Sequence, residues 1–185
     1  MNPTYPHIDY DEYLRLADLL NLQHPRSESF QKPAHDEMLF ITVHQVYELW
    51  FQQILTELDS ILSIFRQDQI DEKHMGLVVH RLERILDIQK LMVDQVSVLE
   101  TMTPLDFLEF RDMLFPASGF QSFQFRLIEN KLGLLPADRL PYNQKPYFES
   151  LSPKEAQLVQ ASEGELSLFN CVDRWLARTP FLQQD

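Results

Sequence analysis

Residues 35 to 53 read HDEMLFITVHQVYELWFQQ, and their spacing predicts a long helix. At 100° per residue, Leu39, Val43, Val46, Trp50 and Ile54 fall on one face, with Phe40, Tyr47 and Phe51 just beside them. Asp36 and Glu37 occupy the first turn, where negative charge suits the helix dipole. No Pro interrupts the run from Ala34 to Thr103, and the apolar stripe continues through Leu58, Ile61, Leu62 and Phe65. The helix is expected over about 35–67. His44 sits at the edge of the aromatic row, four residues after Phe40 and three before Tyr47. By spacing alone it suits first a core-edge histidine paired with Glu48 one turn on, and only second a histidine facing a ligand space.

Working outward, a turn near 67–71 leads to a second long helix over about 71–100. There Val78, Leu82, Ile85, Met92, Val96 and Leu99 step by three and four, with Gln89 as the polar member. Two helices of about 30 residues joined by a short turn pack antiparallel, so the fold class expected is an all-α helical bundle. At 185 residues a single domain over 1–185 is the natural expectation.

Thr103-Pro104 opens the next helix, since Thr caps and Pro suits the first helical position. Phe107, Phe110, Arg111 and Leu114 share its face, so Arg111 lies among rings. It needs an anion or an aromatic face, or else a salt bridge to a neighbour such as Glu109 or Asp112. Phe115-Pro116-Ala117 breaks that helix. Ser118-Gly119-Phe120-Gln121 matches a capping box, predicting a helix over 120–132 closed by Gly133. Such a start is commonly a plain cap, and it also presents free N–H groups that suit a carboxylate or phosphate. Upstream, Tyr10–Leu22 reads as one short amphipathic helix and 23–33 as a loop. Downstream, 134–151 reads as a loop. Ser152/Glu155 and Ser162/Glu165 are further capping-box candidates, the second opening a helix with Leu166, Phe169, Val172 and Leu176 inward. His74 and His80 lie on different faces and read as solvated.

Composition excludes several classes. A 44% hydrophobic and 11% aromatic content is that of a folded chain. The 28 acidic against 16 basic residues give a net charge of −12, which repels nucleic-acid backbones. Cys171 is the only cysteine, fitting a reducing, cytoplasmic location. MNPTYPHIDYDEY has no basic and apolar regions of a signal peptide, and no apolar run is long enough to span a membrane.

Three blocks carry a resemblance: YDEYLRLADLL (Tyr10–Leu20), HDEMLFITVHQVYELWFQQILTELDS, and ETMTPLDFLEFRDMLFPASGFQSFQFRLIE (Glu100–Glu129). In order and spacing they resemble the tryptophan 2,3-dioxygenase family, over about residues 10–132. The resemblance implies a haem b enzyme that inserts O2 across the indole C2–C3 bond of L-tryptophan, giving N-formylkynurenine in the kynurenine pathway. It implies His44 as the catalytic distal histidine meeting the indole N–H, Phe40 as a pocket wall, and Phe40, Ile41, Thr42, Val43 and His44 as lining. Phe107 and Arg111 follow, with Arg111 holding the substrate carboxylate. Ser118 and Gly119 border the pocket. Tyr10, Tyr13 and Leu14 reach over a neighbouring subunit's site in a homotetramer. Phe107 stands where many members have Tyr, and Val96 where some have Trp. The family's proximal haem histidine lies downstream of everything here, and a Gly-Thr-Gly-Gly-Ser-like loop later still. The last histidine here is His80, so no proximal metal ligand is named. Three readings follow: an N-terminal part of such a dioxygenase, a haem-free relative that binds tryptophan or another indole, or a related indole-oxidising enzyme.

Overall fold

The computed structural model describes residues 5–67, 70–139 and 146–178. The described residues form α-helices and short 3-10 turns in this order: α1 (Tyr10–Leu14), α2 (Leu16–Leu19), α3 (Arg26–Ser29), α4 (Glu37–Phe65), α5 (Glu72–Leu99), α6 (Pro104–Leu108), α7 (Arg111–Leu114), α8 (Phe123–Leu132), α9 (Pro153–Glu163) and α10 (Leu168–Arg178). Among them there is no strand, and the all-α expectation holds.

The two long helices run antiparallel. Tyr47 Oη donates to the Met92 carbonyl at 2.5 Å, and Arg84 Nη1 meets Glu57 Oε1 at 2.6 Å, so positions advance along α4 as they retreat along α5. Ile54, Leu58, Ile61, Leu62 and Phe65 are buried from α4, against Val78, Ile85, Ile88 and Met92 of α5. Ile128 of α8 and Cys171 of α10 complete the cluster. Burying apolar side chains of this size contributes about 1.5–3 kcal/mol each. Residues 68 and 69 of the expected inter-helix turn lie outside the described residues.

Polar groups fix the smaller elements. Glu37, 1% exposed, accepts the backbone N–H of Arg26 and of Ser27, each at 2.8 Å. It therefore holds α3 against the start of α4, in addition to facing the α4 dipole. Gln124 Nε2 donates to the Glu48 carbonyl and carboxylate, tying α8 to α4. Asn130 Nδ2 donates to the Val159 carbonyl and to Ser162 Oγ, tying α8 to α9.

Several boundaries differ from expectation. The helix expected over 10–22 is split, because Arg15 is left-handed (φ 53°). The expected loop at 23–33 contains α3. The helix after Pro104 breaks at Phe110 (φ −125°), whose burial to 0% turns the chain inward. Ser118 and Gln121 do close a capping box, but on a 3-10 turn, Gly119–Gln121; Ser122 caps α8. Ser162 caps nothing: it sits inside α9, buried, and donates to the Val159 carbonyl. Ser167 and Asn170 box the start of α10 instead. Of the residues expected inward on α10, Phe169 is exposed and Leu176 largely so, while Cys171 is buried and Leu168, Val172 and Trp175 pack on the core. His80 is exposed as expected, but His74 Nδ1 is buried and finds no hydrogen-bond partner among the described residues. In the α5 seam Val96 remains exposed. Residues 140–145 of the expected loop lie outside the described residues, as does the tail after Arg178.

Candidate functional site

The amino-terminal third of α4 and the segment around α6 and α7 meet through rings. Phe40 lies 5.8 Å from Phe107 and 5.5 Å from Phe110, the latter edge-on, and Phe107 and Phe110 meet at 5.4 Å and 90°. These are the distances at which aromatic quadrupoles attract. Thr103 sets the entry of this segment. Its hydroxyl accepts from Asp106 N, and the Asp106 carboxylate accepts from Thr103 N and Oγ. Those bonds hold the Asp106 carboxyl below its usual range.

His44 stacks one turn beyond Phe40, ring centres 4.1 Å apart. Its Nδ1 lies 2.7 Å from the Phe40 carbonyl. A carbonyl only accepts, so Nδ1 carries the proton and donates. In the neutral ring Nε2 is then left as an acceptor, on an exposed side chain beside an aromatic wall. The alternative partner, Glu48, is engaged by Gln124 of α8.

Arg111 opens α7, immediately after buried Phe110, and is exposed. Among the described residues it forms no ion pair, with Glu109 and Asp112 included. α7 packs against α3, the element that Glu37 holds.

The structure thus brings Phe40, His44 and Phe107 together, with Arg111 one residue past Phe110. Within the lining segment Val43 is buried, Ile41 half-buried and Thr42 exposed, as a helix must place consecutive residues on different sides. Ser118 and Gly119 instead border a cavity of about 570 Å³ that Phe120, Arg126, Glu129 and Arg139 also line. Tyr10, Tyr13 and Leu14 stand exposed on α1, at 71%, 73% and 41%. Phe110 was visible in the sequence only as the i+3 neighbour of Phe107. Its role as the ring joining Phe40 to α6 needed the fold. Glu37 gave no sequence signal beyond its place in the first helical turn. Among the described residues no group of three or more His, Cys, Asp or Glu side chains could hold a metal ion, and no helix is long and apolar enough to cross a membrane.

Comparison with known proteins agrees along the whole chain. The family model described as Tryptophan 2,3-dioxygenase matches residues 5–185. The tryptophan 2,3-dioxygenase of Bdellovibrio bacteriovorus is 59% identical over 97% of this chain and 50% of its own length. That of Dictyostelium discoideum is 54% identical over 95% of this chain and 44% of its own, and that of Alteromonas mediterranea 47% identical over 95% and 49%. The chain spans about half the length of the curated relatives it matches. With identity at this level, and an all-α fold that puts Phe40, His44 and Phe107 on one aromatic wall, the chain belongs to the tryptophan 2,3-dioxygenase family.

Proposed function

We propose that this chain forms the substrate-recognition part of a haem-dependent dioxygenase that opens the indole ring of L-tryptophan with O2 to N-formylkynurenine. The observation that carries the reading is the His44 ring, with Nδ1–H spent on the Phe40 carbonyl and Nε2 left to accept. An indole N–H is a donor only, and it suits that acceptor. Phe40 and Phe107 offer faces for the indole ring, with buried Val43 behind Phe40 and the backbone from Ile41 and Thr42 continuing the wall. Arg111, unpaired among the described residues and presenting a guanidinium fork, suits the substrate carboxylate. The family resemblance also assigns Ser118 and Gly119 to the pocket border, but on this chain they line a separate cavity with Arg126 and Arg139. The exposed Tyr10, Tyr13 and Leu14 suit a site on a neighbouring subunit of a homotetramer. A cytoplasmic setting accords with the single buried thiol, Cys171.

The residues present fit one side of a haem pocket: the His44 imidazole beside an apolar aromatic wall would face the group without having to supply its iron ligand. Haem, when bound, supplies the iron that activates O2 for insertion of both oxygen atoms across the C2–C3 bond. The part of this chain is to bind and orient the amino acid. His44 Nε2 fixes the indole edge, the rings exclude water from its faces, and Arg111 fixes the far end.

Arg111→Ala is the test. Arg111 is exposed on this chain; with the ligand seated and the pair closed off from water, losing one partner costs on the order of 2–5 kcal/mol. Tryptophan binding measured by calorimetry should therefore weaken about a hundredfold, at about 1.4 kcal/mol per decade. Tryptamine, which lacks the carboxylate, should bind poorly to the wild type and respond little to the substitution. Equal losses for both ligands would make Arg111 structural. A haem titration read at the Soret band separates a dioxygenase half from a haem-free indole binder.

A further inference from the structure

Glu48 lies one turn beyond His44 on α4, the spacing at which a carboxylate and an imidazolium pair. Helical side chains lean toward the amino terminus, so a free Glu48 would lie back over the turn that holds His44. The fold sends it the other way. Gln124 Nε2 donates to the Glu48 backbone carbonyl at 2.9 Å and to Glu48 Oε2 at 2.8 Å. An amide nitrogen has two hydrogens, and both engage this one residue. Helix carbonyls point toward the carboxyl terminus, so a carboxylate gripped together with its own carbonyl is held away from His44. One bond would leave the Glu48 side chain free to pivot, whereas two fix its rotamer. Gln124 is itself held in place: it lies in the first turn of α8, which Ser122 caps, and its neighbour Phe125 packs on Phe51 of α4 at 5.5 Å.

The other charges carried by the surrounding elements do not stand in for Glu48. On α4, Glu37 lies two turns back and is engaged by the backbone of α3. On α6, Asp106 is engaged by Thr103. Glu109, Arg111 and Asp112 flank or open α7, Asp94 and Glu100 lie toward the end of α5, and His24 follows Gln23, whose amide meets Gln45. Arg126 of α8 pairs with Glu129. None of these forms an ion pair with His44 among the described residues. Glu48 is the carboxylate that α4 itself places to stabilise a protonated ring.

We propose that Gln124 is a positioning residue for His44: by gripping Glu48 it denies the imidazole its anionic partner and keeps Nε2 a bare acceptor. The inference rests on the reading of His44 as the group that meets the indole N–H. An imidazolium presents N–H at both nitrogens, and a donor facing an indole N–H repels it where the neutral ring would bind it.

The test reads the ring itself. The chain is labelled with 15N in its histidines, and the two ring nitrogens of His44 are followed by NMR over about pH 5–8. Gln124→Met keeps the length of the side chain and removes its donors, so the doubly protonated ring should persist to higher pH than in the wild type. Adding Glu48→Gln, which leaves no carboxylate to swing back, should restore the wild-type titration. Glu48→Gln alone keeps an acceptor for Gln124 and should titrate as the wild type does. The proposal is overturned if Gln124→Met titrates like the wild type. It is also overturned if the double variant keeps the shift of the single one, which would mark a displaced α8. A titration displaced to lower pH in Glu48→Gln alone would overturn it too, by showing that the ring already feels the carboxylate; that arm decides even where Gln124→Met does not fold. Tryptophan calorimetry on the same variants tests the underlying reading separately. Where half of the rings are protonated, the competent fraction and with it the affinity should fall about twofold, and further as pH drops. A ring that responds as stated while tryptophan affinity stays unmoved would uphold Gln124 and overturn His44 as the indole acceptor.

Discussion

His44 shows how one hydrogen bond sets the chemistry of a side chain. With Nδ1–H directed at the Phe40 carbonyl, only Nε2 faces outward, and in the neutral ring it can accept but not donate. His44→Ala should therefore penalise ligands by their indole N–H. Tryptophan should lose affinity, by about 1 kcal/mol or somewhat more for one hydrogen bond. A tryptophan methylated on the indole nitrogen, already deprived of that donor, should bind weakly to both proteins and with little difference between them. Calorimetry on the four pairs checks this, and a uniform loss would make the imidazole a packing group only. The contrast with Arg111, which should discriminate by carboxylate, separates the two ends of the ligand.

At the scale of the elements, caps and breaks decide more than propensity. Gly133 ends α8 at φ 109°, and a Cβ there would lie 2.8 Å from Phe169 Cβ and 2.9 Å from Ser167 Oγ. Gly133→Ala should cost about 1–3 kcal/mol from backbone strain, before the clash is counted. Gly119→Ala, with nothing within 4 Å of the added carbon, should be nearly neutral in chemical denaturation. The Thr103–Asp106 box makes a pH prediction with a definite sign. Its carboxyl is held below the ordinary value by hydrogen bonds from Thr103, so the native state favours the ionised form. That stabilisation is present above the unfolded carboxyl pKa and is lost as pH falls through the lower folded value. The amide signal of Thr103, followed by NMR during acidification, should shift with a midpoint below that of a free aspartate. Asp106→Asn should abolish the transition.

Across the whole molecule, contacts distant in sequence hold the site. Glu37 binds the backbone of α3, α3 packs on α7, and α7 carries Arg111. Glu37→Ala should strand two backbone donors at roughly 1–3 kcal/mol for each one left unsatisfied, lowering Tm. If Arg111 holds the carboxylate as proposed, Glu37→Ala should also weaken tryptophan binding more than tryptamine binding, because it loosens the element that carries Arg111. Equal effects on both ligands would dissociate Glu37 from Arg111.

The sequence by itself determined what depends on local period and residue type. The two long helices follow from apolar residues spaced three and four apart, and the break between them from the polar turn near 67–71. The Ser152 cap follows from a hydroxyl three residues before a carboxylate, the Thr103 cap from Thr followed by Pro at the first helical position, and the α8 stop from Gly133. His44 and Arg111 stood out because a polar group among aromatic residues is expensive without a partner. The tertiary structure decided the rest, because it turns on which groups meet across the chain. Arg15 and Phe110 break helices that propensity would have continued, Phe110 because its ring is swallowed between Phe40 and Phe107. Ser162 gave up its cap for a buried bond to Asn130, a partner 32 residues away that no local pattern announces. Ser118 and Gly119 face Arg126 and Arg139 across a cavity, and Glu48 belongs to Gln124 and not to His44. Periodicity is a property of neighbours along the chain, whereas hydrogen-bond partnership is settled by desolvation, which drives each buried polar group to whatever complement folding brings within reach.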